Sequence, residues 1–260
     1  MEIWLLMLAG GFAAGAFGSL LGLGGGVLIV PMLTLGFDLP LREAFGVSLA
    51  CVVATSAAAA ATYLERRVAD LRLAMRLELF TATGAVAGGL LAFALDEGLL
   101  AGLFALVLVY VAATMVRGAV GPAAREATPE ATSPPTKPRS LPLGAAGSTF
   151  GGVVSGLLGI GGGVIIVPLV HLGLGLPLRV ATATSTLMVA VTAAASGIVY
   201  LVRGGIDPYV LGPTAVGVFV GAVLGSRSAE RIDLRILRLL FIAVLVYTAA
   251  QMVRRAIAPT

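Results

Sequence analysis

A glycine-rich stretch, Gly22–Pro31, constrains the fold more than any other feature, because it recurs almost unchanged as Gly159–Pro168. The two copies are 137 residues apart, the difference between 22 and 159. The same offset pairs the Leu-Pro-Leu-Arg segments 39–42 and 176–179, and it still holds at Asp96 and Asp233. The chain is therefore a tandem repeat of two halves, each with a glycine cluster inside an apolar run.

Composition places this repeat in a membrane. The chain has 260 residues, of which 58% are hydrophobic and 12% are charged, whereas soluble domains carry about 25% charged residues. The length suits about six to eight spans of ~20 residues, which predicts a multi-pass protein. Its arginines stand at the ends of apolar runs rather than in a basic patch, which argues against a nucleic-acid partner. With Cys51 and His171 as single examples of their types, no metal site and no cofactor are expected.

The glycine clusters are expected to break a helix in each half. Residues 3–21 are apolar and compatible with a helix, but each glycine that follows costs about 1 kcal/mol relative to alanine. The next apolar piece, Val27–Phe37, is too short to span a bilayer by itself. A broken helix or a re-entrant hairpin is therefore predicted, with its freed backbone buried in protein or lining a cavity.

Three full spans are predicted to follow each broken segment. They cover residues 44–64, 77–95 and 99–116 in the first half, and 180–202, 211–228 and 236–253 in the second. A charged loop is predicted between Glu65 and Arg76. The domain prediction is a first transmembrane repeat at 1–117, a flexible proline-rich cytoplasmic linker at 118–142, and a second repeat at 143–260.

Charge favours an inverted arrangement of the halves. The arginines of the 65–76 loop place that loop in the cytoplasm by the positive-inside rule. Inversion then puts five arginines of the second half inside and three outside, and a parallel arrangement reverses those sets. The predicted fold class is an all-α polytopic membrane protein made of two four-segment repeats, inverted with respect to each other and each beginning with a glycine-broken or re-entrant helix.

The glycine clusters are also the first candidate binding site. Inverted halves with broken helices that meet near the midplane are a common plan of secondary transporters. Helix N-termini at such breaks suit anions. The candidate residues are Gly24, Gly25 and Gly26 with Gly161, Gly162 and Gly163. The alternative is that these glycines only let helices pack closely.

Hydroxyl groups on the next span of each half form a second candidate set. Ser48 and Ser185 are equivalent in the repeat, as are Thr55 and Thr192. Hydroxyls can bind an oxyanion without a buried charge. The alternative, that they bond to the backbone of their own helices, is common for Ser and Thr in membranes.

Arg42 and Arg179 occupy equivalent positions after Leu-Pro-Leu, where they could attract anions to a cavity mouth or extend to the lipid interface. His171 lies in the short apolar piece of the second half and is a candidate because it is an intramembrane histidine. Glu78 is the one carboxylate slightly inside a predicted span, and it lies near the end of that span. The sequence therefore predicts no proton relay and no cation-coupling cluster.

The doubled G-x-G-G-G motif with three apolar residues and a proline, followed by the Leu-Pro turn and a Ser/Thr/Ala-rich span, resembles the sulfite exporter TauE/SafE family of permeases. The resemblance implies an inner-membrane transporter, not an enzyme, for sulfur-containing anions such as sulfite, sulfoacetate or another organosulfonate. Members are described with about eight spans, each glycine-broken region counting as one. An anion channel and a permease for a non-sulfur organic anion remain alternatives. The expected partners are a small anion and the bilayer. A homodimer is compatible with these features, and the sequence does not identify the coupling ion.

Overall fold

The computed structural model describes residues 2–20, 25–120, 141–228 and 234–257, and these residues are helical with short connections. The helices are α1 Glu2–Leu20, α2 Gly26–Gly36, α3 Leu41–Glu65, α4 Leu71–Ala94, α5 Glu97–Val120, α6 Leu141–Leu158, α7 Gly163–Pro168, α8 Leu178–Val202, α9 Pro208–Ser228 and α10 Leu234–Ile257. A π-helical segment, Leu169–Gly173, follows α7. Most of the predicted linker, residues 121–140, lies outside the described residues.

Six of the described helices are long and apolar enough to cross a membrane, namely α3, α4 and α5 in the first half and α8, α9 and α10 in the second. This confirms the prediction of an all-α polytopic membrane protein, and three of these helices lie on each side of the predicted linker. Helices α1, α2, α6 and α7 are also apolar, but their apolar stretches are shorter than those of the six candidate spans. Each half therefore contains one segment that is divided at the glycine cluster and three long helices.

The predicted break at the glycine clusters is confirmed in both halves. Helix α1 ends at Leu20 and α2 begins at Gly26, while α6 ends at Leu158 and α7 begins at Gly163. The halves differ beyond the break, because α2 continues as one α-helix through Pro31, whereas α7 ends at Pro168 and changes to π-helix. Both pieces carry a proline at the equivalent position, so the proline alone does not account for this difference.

The predicted start of the second full span is wrong. The charged loop was expected to reach Arg76, but α4 begins at Leu71 because Asp70 caps it. The Asp70 carboxylate accepts a hydrogen bond of 3.0 Å from the Leu73 backbone N–H, which satisfies one of the free donors of the first turn. As a result, Glu78 lies about two turns inside α4 rather than at its end.

Paired glycines bring helices of opposite halves into close contact. Helix α1 packs on α9, and its repeat equivalent α6 packs on α4. A methyl group on Gly15 would overlap the Val218 carbonyl of α9, and one on Gly152 would overlap the equivalent Thr81 carbonyl of α4. The contacts also run reciprocally, from glycines 84, 88, 221 and 225. Small residues spaced by four allow such close backbone approach in membranes.

Helices α3 and α8 pack against each other and run in opposite directions. Gly46 lies against Gly205, just after α8 ends, whereas Leu49 lies close to Gly197, earlier in α8. The two helices cover equivalent residues of the repeat. Large side chains such as Phe45 and Tyr200 are fully buried there.

Candidate substrate-binding site

The glycine breaks of the two halves meet next to α3. A Cβ on Gly26, the first residue of α2, would lie 2.9 Å from the Ile160 carbonyl oxygen of the second break and 3.2 Å from that of Gly159. Gly25 and Gly162, which precede α2 and α7, have φ angles of 78° and 76°. This left-handed conformation favours glycine, so the breaks require it at these positions. Gly24 lies outside the described residues.

Glycine at the two caps also leaves the helix starts without a side-chain acceptor. Neither Gly25 nor Gly162 has a side-chain oxygen that could cap the helix, and the described residues provide no side-chain cap to α2 or α7. Gly161 packs against Val52 of α3, and Gly163 lies 3.5 Å from Val189 of α8 as measured to its ideal Cβ. The second break is therefore held between one helix from each half.

Ser48 joins the two breaks directly. Its buried hydroxyl lies 2.7 Å from the Gly159 carbonyl oxygen and 3.3 Å from that of Gly26, and it can donate to either. Its repeat equivalent, Ser185, instead donates to the Thr182 carbonyl of its own helix at 3.1 Å. The structure therefore brings Ser48 to the breaks, and it engages Ser185 within α8.

The equivalent threonines also differ. Thr55 donates to the Cys51 and Val52 carbonyls of its own helix, each at 3.2 Å. Thr192 donates to the Glu78 carboxylate of α4 at 3.0 Å. Backbone bonding within the helix accounts for these two bonds of Thr55, whereas Thr192 bonds to a side chain of another helix.

Arg42 is engaged at a helix end. Its Nε donates to the Ala92 carbonyl at 3.1 Å and its Nη2 to the Leu95 carbonyl at 2.6 Å, at the C-terminus of α4. A cation at this end also stabilises the helix dipole. Arg179 is exposed in the first turn of α8.

His171 lies in the π-helical segment, and its Nδ1 is 2.7 Å from the Leu176 carbonyl oxygen. Eight residues separate it from Gly163, which is roughly 12 Å of helix. The imidazole therefore closes the turn that leads into α8 and lies at the opposite end of the short piece from the glycine break.

Three residues that the structure connects to the candidate site were not among the predicted site residues, and two of them lie beside the second break. Ser155 of α6 is fully buried, its Oγ lies 3.3 Å from the ideal Cβ of Gly162, and it has no hydrogen-bond partner among the described residues. Tyr200 donates from α8 to the Gly156 and Leu157 carbonyls, at 3.1 and 3.2 Å, just before the second break. Glu78 is the partner of Thr192.

One open groove of about 460 Å³ lies between α1, α2 and α10. Its lining is almost entirely apolar, with Tyr247 and Thr248 as polar exceptions, and it contains none of the predicted site residues. Such a lining suits lipid acyl chains rather than an anion.

Comparison with known proteins agrees with the membrane architecture. The profile described as "Sulfite exporter TauE/SafE" matches residues 7–252. The chain is 22% identical to the probable membrane transporter protein YunE of Bacillus subtilis (strain 168), over 98% of both chains. It is 27% identical to the probable membrane transporter protein YdhB of the same strain, over 83% of this chain and 86% of the relative. No solved structure matches significantly.

Proposed function

We propose that this chain, which belongs to the sulfite exporter TauE/SafE family, is a secondary transporter of small sulfur-containing anions such as sulfite or an organosulfonate. Membership makes it a multi-pass membrane transporter rather than an enzyme. The choice of anion follows from the family description and from the chemistry of the site. We place the anion where the two glycine breaks meet.

The observation that carries this proposal is the buried hydroxyl of Ser155 beside Gly162. A buried hydroxyl without a hydrogen-bond partner costs roughly 1–3 kcal/mol, and Ser155 has none among the described residues, so a ligand that accepts a hydrogen bond from it would relieve that cost. The N-terminus of α2, which has no side-chain cap and begins beside the Ile160 carbonyl of the second break, adds backbone N–H donors and a partial positive charge. Neutral donors of this kind can hold an oxyanion and release it more readily than a fixed cation would.

The inverted relation of the halves is the second part of the proposal. Two equivalent helices, α3 and α8, pack against each other and run in opposite directions. The reciprocal contacts of α1 with α9 and of α6 with α4 are those of a two-fold arrangement. A two-fold axis in the membrane plane fits both observations. In such transporters, alternating access moves one repeat against the other around a central site.

Thermal unfolding of the detergent-purified protein tests the site. A ligand that binds only the folded state raises Tm by mass action. We expect sulfite or sulfoacetate to raise Tm, whereas acetate leaves it unchanged. Ser155→Ala should abolish the increase because it removes the donor next to Gly162.

Ser148→Ala is the matched control. Ser148 is a second fully buried serine of α6 whose hydroxyl has no partner among the described residues, and it lies about two helical turns, roughly 10 Å, before Ser155. The increase in Tm should persist in this variant. Equal loss in the two variants, or an increase with acetate alone, would contradict the proposed site.

A further inference from the structure

Glu78 is a carboxylate held inside the membrane domain between the two halves. It lies in α4, which packs against α6 and α8. Oε1 accepts a hydrogen bond of 3.0 Å from Thr192. Oε2 is buried and has no partner among the described residues.

The surroundings of Glu78 provide little to balance a negative charge. Helix α6 has no ionisable side chain, and the ionisable groups of α8 are Arg179 and Tyr200. Arg179 lies thirteen residues before Thr192, about 20 Å along the helix, and Tyr200 is bonded to α6. On α4 itself, Arg72 and Arg76 are exposed. Burial of an ionised carboxylate without a cation is costly, so the site favours a bound proton.

The hydrogen bond to Oε1 leaves Oε2 free to carry that proton. Thr192 donates to Oε1, so a proton on Oε2 would make the group a neutral acid whose O–H is available as a donor. A metal ion would need more ligands, and no group of three or more histidine, cysteine or acidic residues that could hold one occurs in the described part of the chain.

Glu78 is also linked to the meeting point of the breaks. Thr192 lies one helical turn after Val189, whose side chain packs against Gly161 and Gly163. A change in the Glu78–Thr192 contact therefore acts on the helix that supports the second break. The repeat equivalent of Glu78 is Ala215, so the molecule has one such group and not two.

We propose that Glu78 is the proton-binding site that couples anion movement to proton movement, with Thr192 as the hydroxyl that holds its carboxylate. This inference rests on the proposed transport function. One proton binds and leaves per cycle, and the contact between α4 and α8, helices of opposite halves, changes with it. Intramembrane acidic residues serve as such relays in other transporters.

The test compares two fluxes of sulfoacetate in the same proteoliposomes. Sulfoacetate is chosen because, unlike sulfite, it keeps its charge near neutral pH. The first flux is exchange of external labelled for internal unlabelled anion, and the second is net accumulation driven by a pH gradient. In Glu78→Gln we expect the ratio of accumulation to exchange to fall by about ten-fold or more, within the usual range of coupling between two ligands.

Glu97→Gln is the matched control, because Glu97 is an exposed carboxylate in the first turn of α5, and its ratio should equal that of the wild type. Thr192→Val should lower the ratio without removing the carboxylate, which keeps the test valid where Glu78→Gln fails to fold. A wild-type ratio in Glu78→Gln, or accumulation driven by a sodium gradient instead, would overturn the proton site alone. Absence of both sulfoacetate and sulfite exchange in the wild type would overturn the transport function as well.

Discussion

The glycines that pack α1 against α9 have equivalents that pack α6 against α4, with the same residue contacts 137 positions later. Some of the polar side chains among the described residues differ between the halves. Ser48 joins the two breaks while Ser185 bonds within its own helix, and Glu78 has Ala215 as its equivalent. The comparison shows that the repeat preserves the helix packing, whereas these polar groups differ between the two halves.

The short pieces after the breaks show the same difference. Thr34 donates to the Val30 carbonyl within the continuous helix α2. Its equivalent, His171, lies in π-helix and contacts the Leu176 carbonyl. Single π-helical turns occur frequently at functional sites. The second half therefore carries the less regular segment together with Ser155 and the partner of Glu78.

The largest loss of stability is expected from substitutions of the glycines that pack the helices of the two halves together. Gly15→Leu and Gly152→Leu should each destabilise the fold by about 3 kcal/mol or more, because a side chain would overlap the backbone of the facing helix. Gly212→Ala is the control, since nothing lies within 4 Å of its added methyl group. Unfolding in detergent measures these changes. Strong destabilisation by only one of the two substitutions would contradict the equivalence of helix packing in the two halves.

Arg42→Met should be the next most damaging change. It removes two hydrogen bonds to the C-terminal carbonyls of α4, and loss of hydrogen bonds from a charged donor costs about 1.5–3 kcal/mol. Arg179→Met extends the comparison, because the equivalent carbonyls of Arg179 would belong to residues 229 and 232, outside the described residues. An equal loss of Tm would indicate a symmetric cap, and a wild-type Tm in Arg42→Met would contradict the capping role.

Tyr200→Phe should destabilise the protein by about 1.5 kcal/mol, because one buried hydroxyl serves two carbonyls at the end of α6. Tyr110→Phe, at an exposed position of α5, should stay within about 0.5 kcal/mol of the wild type. The midpoint of denaturant unfolding distinguishes the two variants. The same midpoint in both would exclude this role of Tyr200.

The smallest expected effect is the difference between the two equivalent serines. Ser48→Ala should cost about 1 kcal/mol more than Ser185→Ala, because Ser48 serves a carbonyl of the other half and Ser185 one of its own helix. The difference in Tm between the variants is the measurement. Equal values would show that the serines are energetically equivalent despite their different partners.

The sequence was sufficient to predict the long helices and the positions of the helix breaks. Apolar length identified the six spans, and the repeated glycines located both helix breaks. The spacing of Gly84 with Gly88, and of Gly152 with Gly156, also carries a signal for close helix packing, although it does not reveal which helices meet. The π-helical segment has no comparable signal in the sequence.

Most of the site could not be predicted because it depends on partners from distant helices. Ser48 and Ser185 look alike in the sequence, and only the fold shows that one reaches the opposite break. The position of Glu78 differs from the prediction for a local reason, since the continuous apolar pattern begins at Leu77, whereas the Asp70 cap starts the helix at Leu71. A capping residue before Leu71 was the available signal.

Counterflow in proteoliposomes tests the central claim most directly. Vesicles with the purified wild-type protein are loaded with unlabelled sulfite or sulfoacetate and placed in a trace of the labelled anion. The account predicts transient accumulation of label that saturates with anion concentration and falls in Ser155→Ala but not in Ser148→Ala. No accumulation with either anion, or a flux that rises without saturation as through a channel, would contradict it.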